Sequence, residues 1–160
     1  MPLVLDLLRH GDSLPAAEGG DAARRLSPRG ERDLERLGRH LLGLGWRPRH
    51  AFTSPLVRAG DSARIVLGLA APDLTPEVMR ALAPESAPDE VLAALAEVGR
   101  VDGHLLLVGH QPLLGQLVQW LTVREAPGLA PGDLIRVEFA DRLSPGAGEI
   151  RWRIRAQDCA

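Results

Sequence analysis

The sequence predicts an α/β fold, a three-layer α/β/α sandwich around a central sheet that is mixed but mostly parallel. Strand-like and helix-like stretches alternate along most of the 160 residues. Two apolar runs, residues 3–8 and 105–108, both lead into a histidine that lies next to a glycine. The last two predicted strands, about 134–139 and 149–155, are joined by a turn rich in proline and glycine. We therefore expect an antiparallel hairpin at one side of the sheet.

In the N-terminal half, the strongly apolar residues 3–8 predict a buried strand. Residues 11–26 are rich in glycine, alanine and charge, which indicates a loop. Ser27-Pro28 then predicts a helix start, because serine is favoured at the N-cap and proline at the first helical position. We expect this helix to end near Gly43 or two residues later, before a short strand at residues 50–53.

In the C-terminal part, Ser54-Pro55 repeats the capping signal and predicts a second helix. Residues 75–79 indicate a short strand. Residues 88–98 predict a helix because their apolar side chains share one face. After the apolar strand at 105–108, Pro112 opens the last predicted helix, and the hairpin follows.

The composition fits one globular domain over residues 1–160 and excludes several classes of protein. A formal net charge of −2 gives no basic field for nucleic acid or an anionic membrane. The single cysteine, Cys159, cannot form an internal disulfide, and no cysteine cluster indicates zinc or iron–sulfur. No leader pattern and no apolar run of about 20 residues are visible. We expect a cytoplasmic protein, and the oligomeric state stays open.

Three predicted strand ends deliver polar residues to one edge of the sheet, where ligands of α/β proteins bind. A histidine held beside an arginine there is a candidate nucleophile for phosphoryl transfer, because the arginine can bind the phosphate bidentately while the imidazole attacks phosphorus. The helix that follows the second histidine adds amide groups that favour anions. The candidate binding residues are Arg9, His10, Gly11, Ser54, Arg58, His110 and Gln111.

Three segments of the chain together resemble the histidine phosphatase superfamily in residues, order and spacing. They are Leu8-Arg9-His10-Gly11, Thr53-Ser54-Pro55-Leu56-Val57-Arg58-Ala59 and Val108-Gly109-His110-Gln111-Pro112, with Leu26-Ser27-Pro28-Arg29-Gly30 before the first helix. The resemblance covers nearly the whole chain, and the short length is most similar to the SixA-type protein phosphohistidine phosphatases. It implies a phosphoglycerate-mutase-like fold. It also implies that His10 becomes phosphorylated, that Arg9, Arg58 and His110 complete the phosphate pocket, and that no metal or organic cofactor is needed.

The sequence does not fix the acid that protonates the leaving group. Gln111 stands where some members of the family carry an acid, and Glu85 is the candidate at the other common location. Asp89 and Glu90 are interpreted as capping and solvating the next helix. Without a strong acid, the site would favour phosphohistidine, because a leaving imidazole is far less basic than an alkoxide. The short segment between His10 and Ser27 also leaves little material for a lid.

Three classes of function remain open. The first is a metal-independent phosphatase that acts through a covalent phosphohistidine, with phosphorylated protein as its substrate. The second is a small-molecule phosphomonoesterase or mutase-like phosphotransferase on the same scaffold, and the third is a non-catalytic phosphate-binding module. The presence of both histidines and both arginines speaks against the third class.

Several residues have a structural interpretation beside the functional one. Ser54 is read first as a helix N-cap, and Asp12 and Ser13 as either turn residues or substrate contacts. The three remaining histidines have no supporting pattern and are interpreted as structural or exposed. They are His40, His50 and His104.

Overall fold

The computed structural model describes residues 3–16, 18–99 and 102–160, which form a six-stranded sheet with helices on both faces. The strands β1 to β6 are Leu3–Arg9, His50–Thr53, Glu77–Val78, His104–Gly109, Asp133–Phe139 and Glu149–Arg155. The helices α1 to α4 are Pro28–Gly43, Val57–Ala70, Pro88–Val98 and Leu113–Thr122. The predicted α/β/α sandwich is therefore confirmed. None of the described helices is long and apolar enough to cross a membrane.

The order of the strands in the sheet is β3-β2-β4-β1-β5-β6. The first four strands in this order are parallel, whereas β5 runs antiparallel to both β1 and β6. The sheet is thus mixed and mostly parallel, as predicted. β1 and β4 lie side by side in its centre, with Arg9 paired to Gly109. This register places the residues after both strands, His10 and His110, next to each other.

The central strands are buried on both faces, which explains their nearly continuous apolar sequences. On one face, Leu8 packs in a cluster with side chains of α1 and α2, such as Leu34 and Val66. On the other face, Leu7 packs with side chains of α3 and α4, such as Leu117. The two helical layers therefore hold β1 and β4 rigidly and fix the positions of their ends.

The predicted helix starts differ in accuracy. Ser27 caps α1 as predicted, since its hydroxyl oxygen accepts the Gly30 amide hydrogen at 3.0 Å. The prediction that Ser54 caps the second helix is wrong. That helix begins at Val57 with Leu56 at the N-cap, and the Ser54 hydroxyl instead lies against the ring of His110. The short strand β3 also covers fewer residues than predicted.

Candidate active site

His10 and His110 face a common cavity of about 260 Å³ at the carboxyl ends of the parallel strands. Their ring centroids lie 5.0 Å apart, with an angle of 54° between the ring planes. The described residues that line the cavity come from the ends of β1 and β4, from α2 and from three loops. They are Arg9, His10, Asp12, Ser13, Arg24, Arg58, Pro84, His110, Gln111 and Pro131.

The His10 ring is buried, and its two nitrogens have different partners. The Nδ1 atom lies 2.8 Å from the Gly11 carbonyl oxygen, and because a carbonyl can only accept, Nδ1 carries the proton. The Nε2 atom accepts a hydrogen bond from Arg58 Nε at 3.4 Å, so Nε2 itself carries no proton. Burial lowers the pKa of His10 to about 4; the Gly11 hydrogen bond opposes the shift, and the Arg58 and Arg9 charges add to it. His10 is therefore neutral near pH 7.

The His110 ring is also buried but is held through the opposite nitrogen. Its Nε2 atom lies 2.7 Å from the Ser54 hydroxyl oxygen, and its buried Nδ1 atom has no partner among the described residues. Burial lowers the pKa of His110 to about 3, and the neighbouring His10 and Arg58 lower it further. The cavity thus contains two neutral imidazoles surrounded by cationic side chains.

The two predicted arginines are held by backbone carbonyls. Arg9 donates from Nη1 to the Leu129 carbonyl at 2.8 Å, and its buried Nε has no partner among the described residues. Burial and the Arg58 charge lower the pKa of Arg9, whereas Asp133 raises it. Arg58 is buried and donates from Nη1 to the Asp21 carbonyl at 2.8 Å. Both guanidinium groups therefore remain fixed cations in the cavity wall.

Two comparisons of the sequence identify the family of this chain. A family model, that of the histidine phosphatase superfamily (branch 1), matches residues 5–83. An uncharacterized protein of Picosynechococcus sp. (strain PCC 7002) is 39% identical over 120 residues, which cover 71% of this chain and 70% of that protein. This chain belongs to the histidine phosphatase superfamily.

Solved structures of two phosphatases share the fold. The protein histidine phosphatase SixA, solved with tungstate, superposes with a TM-score of 0.84 at 24% identity, over 97% of this chain and 98% of that chain. The phosphoserine phosphatase of Entamoeba histolytica, solved with 3-phosphoglyceric acid, gives a TM-score of 0.69 at 13% identity, over 94% and 96% of the two chains. The fold is therefore phosphoglycerate-mutase-like, and the family identifies the chain as a phosphatase.

Two residues that the sequence did not single out, Arg24 and Asp21, lie at the cavity wall or against its arginines. Arg24 lines the cavity and donates from Nη1 to the Asp21 carboxylate at 3.1 Å. The same carboxylate accepts from Arg58 Nη2 at 3.2 Å. Hydrogen bonds from Arg24 and Arg58 lower the pKa of Asp21. The predicted loop over residues 11–26 thus contributes to the wall of the cavity. Nothing in the sequence pattern links Asp21 to Arg58, which lies 37 residues later.

Two predicted binding residues of this phosphatase lie outside the cavity. The Gly11 amide donates to Ser62 Oγ at 3.0 Å, and a Cβ at Gly11 would lie 2.8 Å from the Leu34 side chain. Packing, rather than the approach of a ligand, therefore requires glycine there. Ser54 contacts His110 from outside the cavity wall.

Gln111 lines the cavity, but its side-chain amide is already used. Its Oε1 atom accepts from the Gly115 amide at 2.8 Å, and its Nε2 atom donates to the Pro127 carbonyl at 3.1 Å. Gln111 therefore satisfies one of the first amides of α4. The N-terminus of α4 therefore has one fewer free amide to offer an anion than the sequence led us to expect.

Among the described residues, the acidic residue that lines the cavity is Asp12 and not Glu85. Glu85 is exposed and does not line the cavity, although its neighbour Pro84 does. Asp12 lines it and accepts a 2.6 Å hydrogen bond from the Ser27 hydroxyl. Gly30 allows this arrangement, because a Cβ there would lie 2.1 Å from the Asp12 carbonyl oxygen.

The described part of the chain contains no group of three or more histidine, cysteine, aspartate or glutamate side chains placed to hold a metal ion. Of the three histidines interpreted as structural, His104 lies 2.6 Å from a carboxylate oxygen of Asp6 in the sheet. His40 is exposed on α1, and His50 begins β2. None of them lines the cavity.

Proposed function

We propose that this histidine phosphatase hydrolyses protein phosphohistidine without a metal ion, through a phosphoryl group carried on His10. The observation that carries the proposal is the orientation of the His10 ring. Its Nδ1–H is held by the Gly11 carbonyl, while its Nε2 lone pair faces the cavity arginine Arg58. A buried, neutral imidazole with a fixed lone pair beside a cation is suited to attack phosphorus.

The proposed reaction has two displacements. First, His10 Nε2 forms a bond to phosphorus as the bond to the leaving group breaks, and the leaving group takes up a proton from solvent. Then water attacks phosphorus, the P–N bond to His10 breaks with its electron pair returning to Nε2, and inorganic phosphate leaves with the oxygen and both hydrogens of the water. Arg9 and Arg58 offset the negative charge on the phosphoryl oxygens in both transition states. No step in this scheme requires a metal ion.

The surroundings of the leaving group support phosphohistidine as the substrate. Glu85 does not line the cavity, and Asp12 already accepts the Ser27 hydrogen bond. A leaving imidazole depends less on an acid than an alkoxide does, and general acid catalysis is worth about 10²–10⁴-fold. The proposed site therefore favours a substrate whose leaving group departs readily.

Asp12 also supports a second candidate, a small-molecule phosphomonoesterase. In its protonated form, Asp12 in the cavity wall could donate a proton to an alkoxide as the ester bond breaks. In this case the protein would act on sugar or other alkyl phosphates, and Asp12 would be the acid.

The test compares turnover of a phosphohistidine protein with a panel of sugar, nucleotide and aryl phosphates, in the presence and absence of a chelator. We expect phosphohistidine to react fastest, and Asp12→Asn and Glu85→Gln to change that rate less than threefold. His10→Ala should abolish turnover and the acid-labile phosphoenzyme trapped by rapid quench. Efficient sugar phosphate hydrolysis that collapses in Asp12→Asn would establish the second candidate instead. Loss of activity with chelator, restored by a divalent ion, would contradict a metal-independent reaction.

A further inference from the structure

The contact between Ser54 and His110 joins two strand ends that are distant in sequence. Ser54 follows β2 and His110 follows β4, and Thr53 and Val108 are partners in the parallel ladder between them. The Ser54 amide also donates to the Val108 carbonyl at 3.0 Å. Ser54 is 1% exposed and His110 is 2% exposed, so water does not compete for the 2.7 Å hydrogen bond between them. The sheet therefore fixes the geometry of this pair.

The neighbours of Ser54 determine which group donates. Its hydroxyl oxygen already accepts the Leu56 amide hydrogen at 3.2 Å. The hydroxyl has one proton of its own, and among the described residues His110 Nε2 is its hydrogen-bond partner. Leaving a buried hydroxyl proton without an acceptor costs the full desolvation penalty of that group. Ser54 therefore donates, and His110 Nε2 accepts.

The protonation state of the second ring nitrogen of His110 follows from that of the first. Burial keeps the ring neutral near pH 7, and a neutral imidazole carries one proton. With Nε2 as acceptor, that proton is on Nδ1, which is buried and has no partner among the described residues. The ring lines the same cavity as the nucleophile candidate His10 and the cation Arg58. An unsatisfied donor in such a cavity is suited to a ligand oxygen.

We propose that Ser54 is a positioning residue that holds His110 in the Nδ1–H tautomer, so that Nδ1 donates a hydrogen bond to the transferred phosphoryl group. The assignment of the donor role rests on the proposed function, whereas the tautomer is a property of the resting protein. Ser54 itself does not touch the substrate. His110 is a hydrogen-bond donor in this arrangement, and the phosphoryl group is accepted by His10 alone.

The test is ¹⁵N NMR of the histidine-labelled resting protein at pH 7, with His110→Gln used to assign the ring signals. We expect a pyridine-type Nε2 and a pyrrole-type Nδ1 for His110 in the wild type. Ser54→Ala should shift this ring toward the other tautomer, and Ser54→Thr should retain the wild-type pattern because it keeps the hydroxyl. A protonated Nε2 in the wild type overturns the proposal even if no variant folds.

Ser62→Ala is the matched control for the spectrum alone, because this buried serine accepts from the Gly11 amide and donates to the Arg58 carbonyl but has no hydrogen bond to His110. It should leave the His110 tautomer unchanged. In turnover assays, Ser54→Ala should lower kcat about 10²-fold with little change in KM, since the donor acts on the transition state. An unchanged tautomer in Ser54→Ala contradicts the role of Ser54. Because the spectrum is recorded without substrate, a failed substrate assignment does not alter this result.

Discussion

Two clusters of charged side chains begin on the same strand, three residues apart, and differ in charge balance. The Asp6 carboxylate is fully buried and accepts hydrogen bonds from Arg136 at 2.8 and 2.9 Å, from His104 at 2.6 Å and from the Trp46 indole at 2.6 Å. The cluster around Arg9 instead has more cations than anions.

Arg9 shares its cavity with two further arginines. Their carboxylate partner, Asp21, has a side chain that is 61% exposed. A buried Arg9 nitrogen has no partner among the described residues. In the Asp6 cluster, Arg136 and His104 both bind the Asp6 carboxylate, which satisfies the charged groups within the protein. Arg136 also stacks on Trp152. The Arg9 cluster is open to a cavity, and the carboxylates beside it, those of Asp12 and Asp21, belong to exposed residues, so its three arginines are only partly compensated within the protein.

The difference indicates how to separate structural from functional charge. Asp6, Arg136 and His104 lie on three neighbouring strands, so their ion pairs fasten the sheet. The cations around Arg9 are compensated only in part, by the exposed carboxylate of Asp21, so an anion supplied from outside would offset their remaining repulsion. Buried charge that is compensated within the protein therefore supports the fold, and excess buried charge beside a cavity indicates a ligand of opposite sign.

The largest expected effect is on stability, in the balanced cluster. Asp6→Ala removes the anion and leaves Arg136 and His104 unpaired in the sheet, which should cost about 3–5 kcal/mol in the free energy of unfolding. Denaturant unfolding at pH 7 measures this change. Turnover per folded molecule should stay within a few-fold of wild type. A loss of activity without a loss of stability would show that the comparison between the clusters is wrong.

The pH dependence of stability should separate the clusters next. His10 and His110 have pKa values of about 4 and about 3 in the folded protein, below the usual 6.5, so the unfolded chain binds their protons first. The contribution of the two neutral histidines to the free energy of unfolding should therefore be fully present above pH 6.5. It should fall as the pH drops toward 4, by about 3 kcal/mol for His10. Burial would raise the pKa of Asp6, but its hydrogen bonds to Arg136 and His104 outweigh this and lower it.

The contribution of Asp6 should consequently be lost below about pH 4, its ordinary range, as the pH falls through the lowered folded value. Thermal unfolding across pH 3–8 measures both regions. The double variant His10→Asn/His110→Asn should flatten the curve between pH 4 and 6.5, and Asp6→Asn should flatten it below pH 4. Equal slopes in wild type and the double variant between pH 4 and 6.5 would refute the assignment of the shifts.

Arg58→Lys should have a somewhat smaller effect, on activity rather than stability. A point charge does not replace the guanidinium fork, so we expect kcat/KM to fall about 10²-fold. The unfolding free energy should change by less than about 1 kcal/mol, because a cation is retained. Arg64→Lys is the matched control on the same helix, since its side chain is 64% exposed. Wild-type kinetics in Arg58→Lys would remove Arg58 from the phosphate site.

The smallest expected effect is that of Arg24→Ala, at the exposed side of the cavity. Loss of this cation should weaken inhibition by vanadate or tungstate about tenfold, the size of one hydrogen bond to a charged group. Arg25→Ala is the control, because its side chain is 73% exposed and pairs with Asp61 outside the cavity. Equal inhibition constants for both variants would exclude Arg24 from the site.

The sequence predicted the layers, nearly all elements and the meeting of three strand ends, because these depend on local periodicity and on a general rule for parallel sheets. It did not predict Arg24, whose position depends on how the loop after β1 folds back over α2. It placed Ser54 at a helix cap, since the local pattern there matches the one at Ser27. The contact that distinguishes the two serines comes from His110, 56 residues away. The expectations of one domain over residues 1–160 and of no cofactor stay predictions.

The position of β1 in the sheet has a consequence for synthesis of the chain. Both neighbours of this strand, β4 and β5, lie in the C-terminal part of the sequence. Its apolar residues therefore have no neighbouring strand until about residue 109 has left the ribosome, and no second one until about residue 139 has. Pairing across some 100 residues is slow and entropically costly. Nascent chains should therefore expose Leu3–Arg9 for most of translation, and they acquire the complete cavity only when the whole sheet closes.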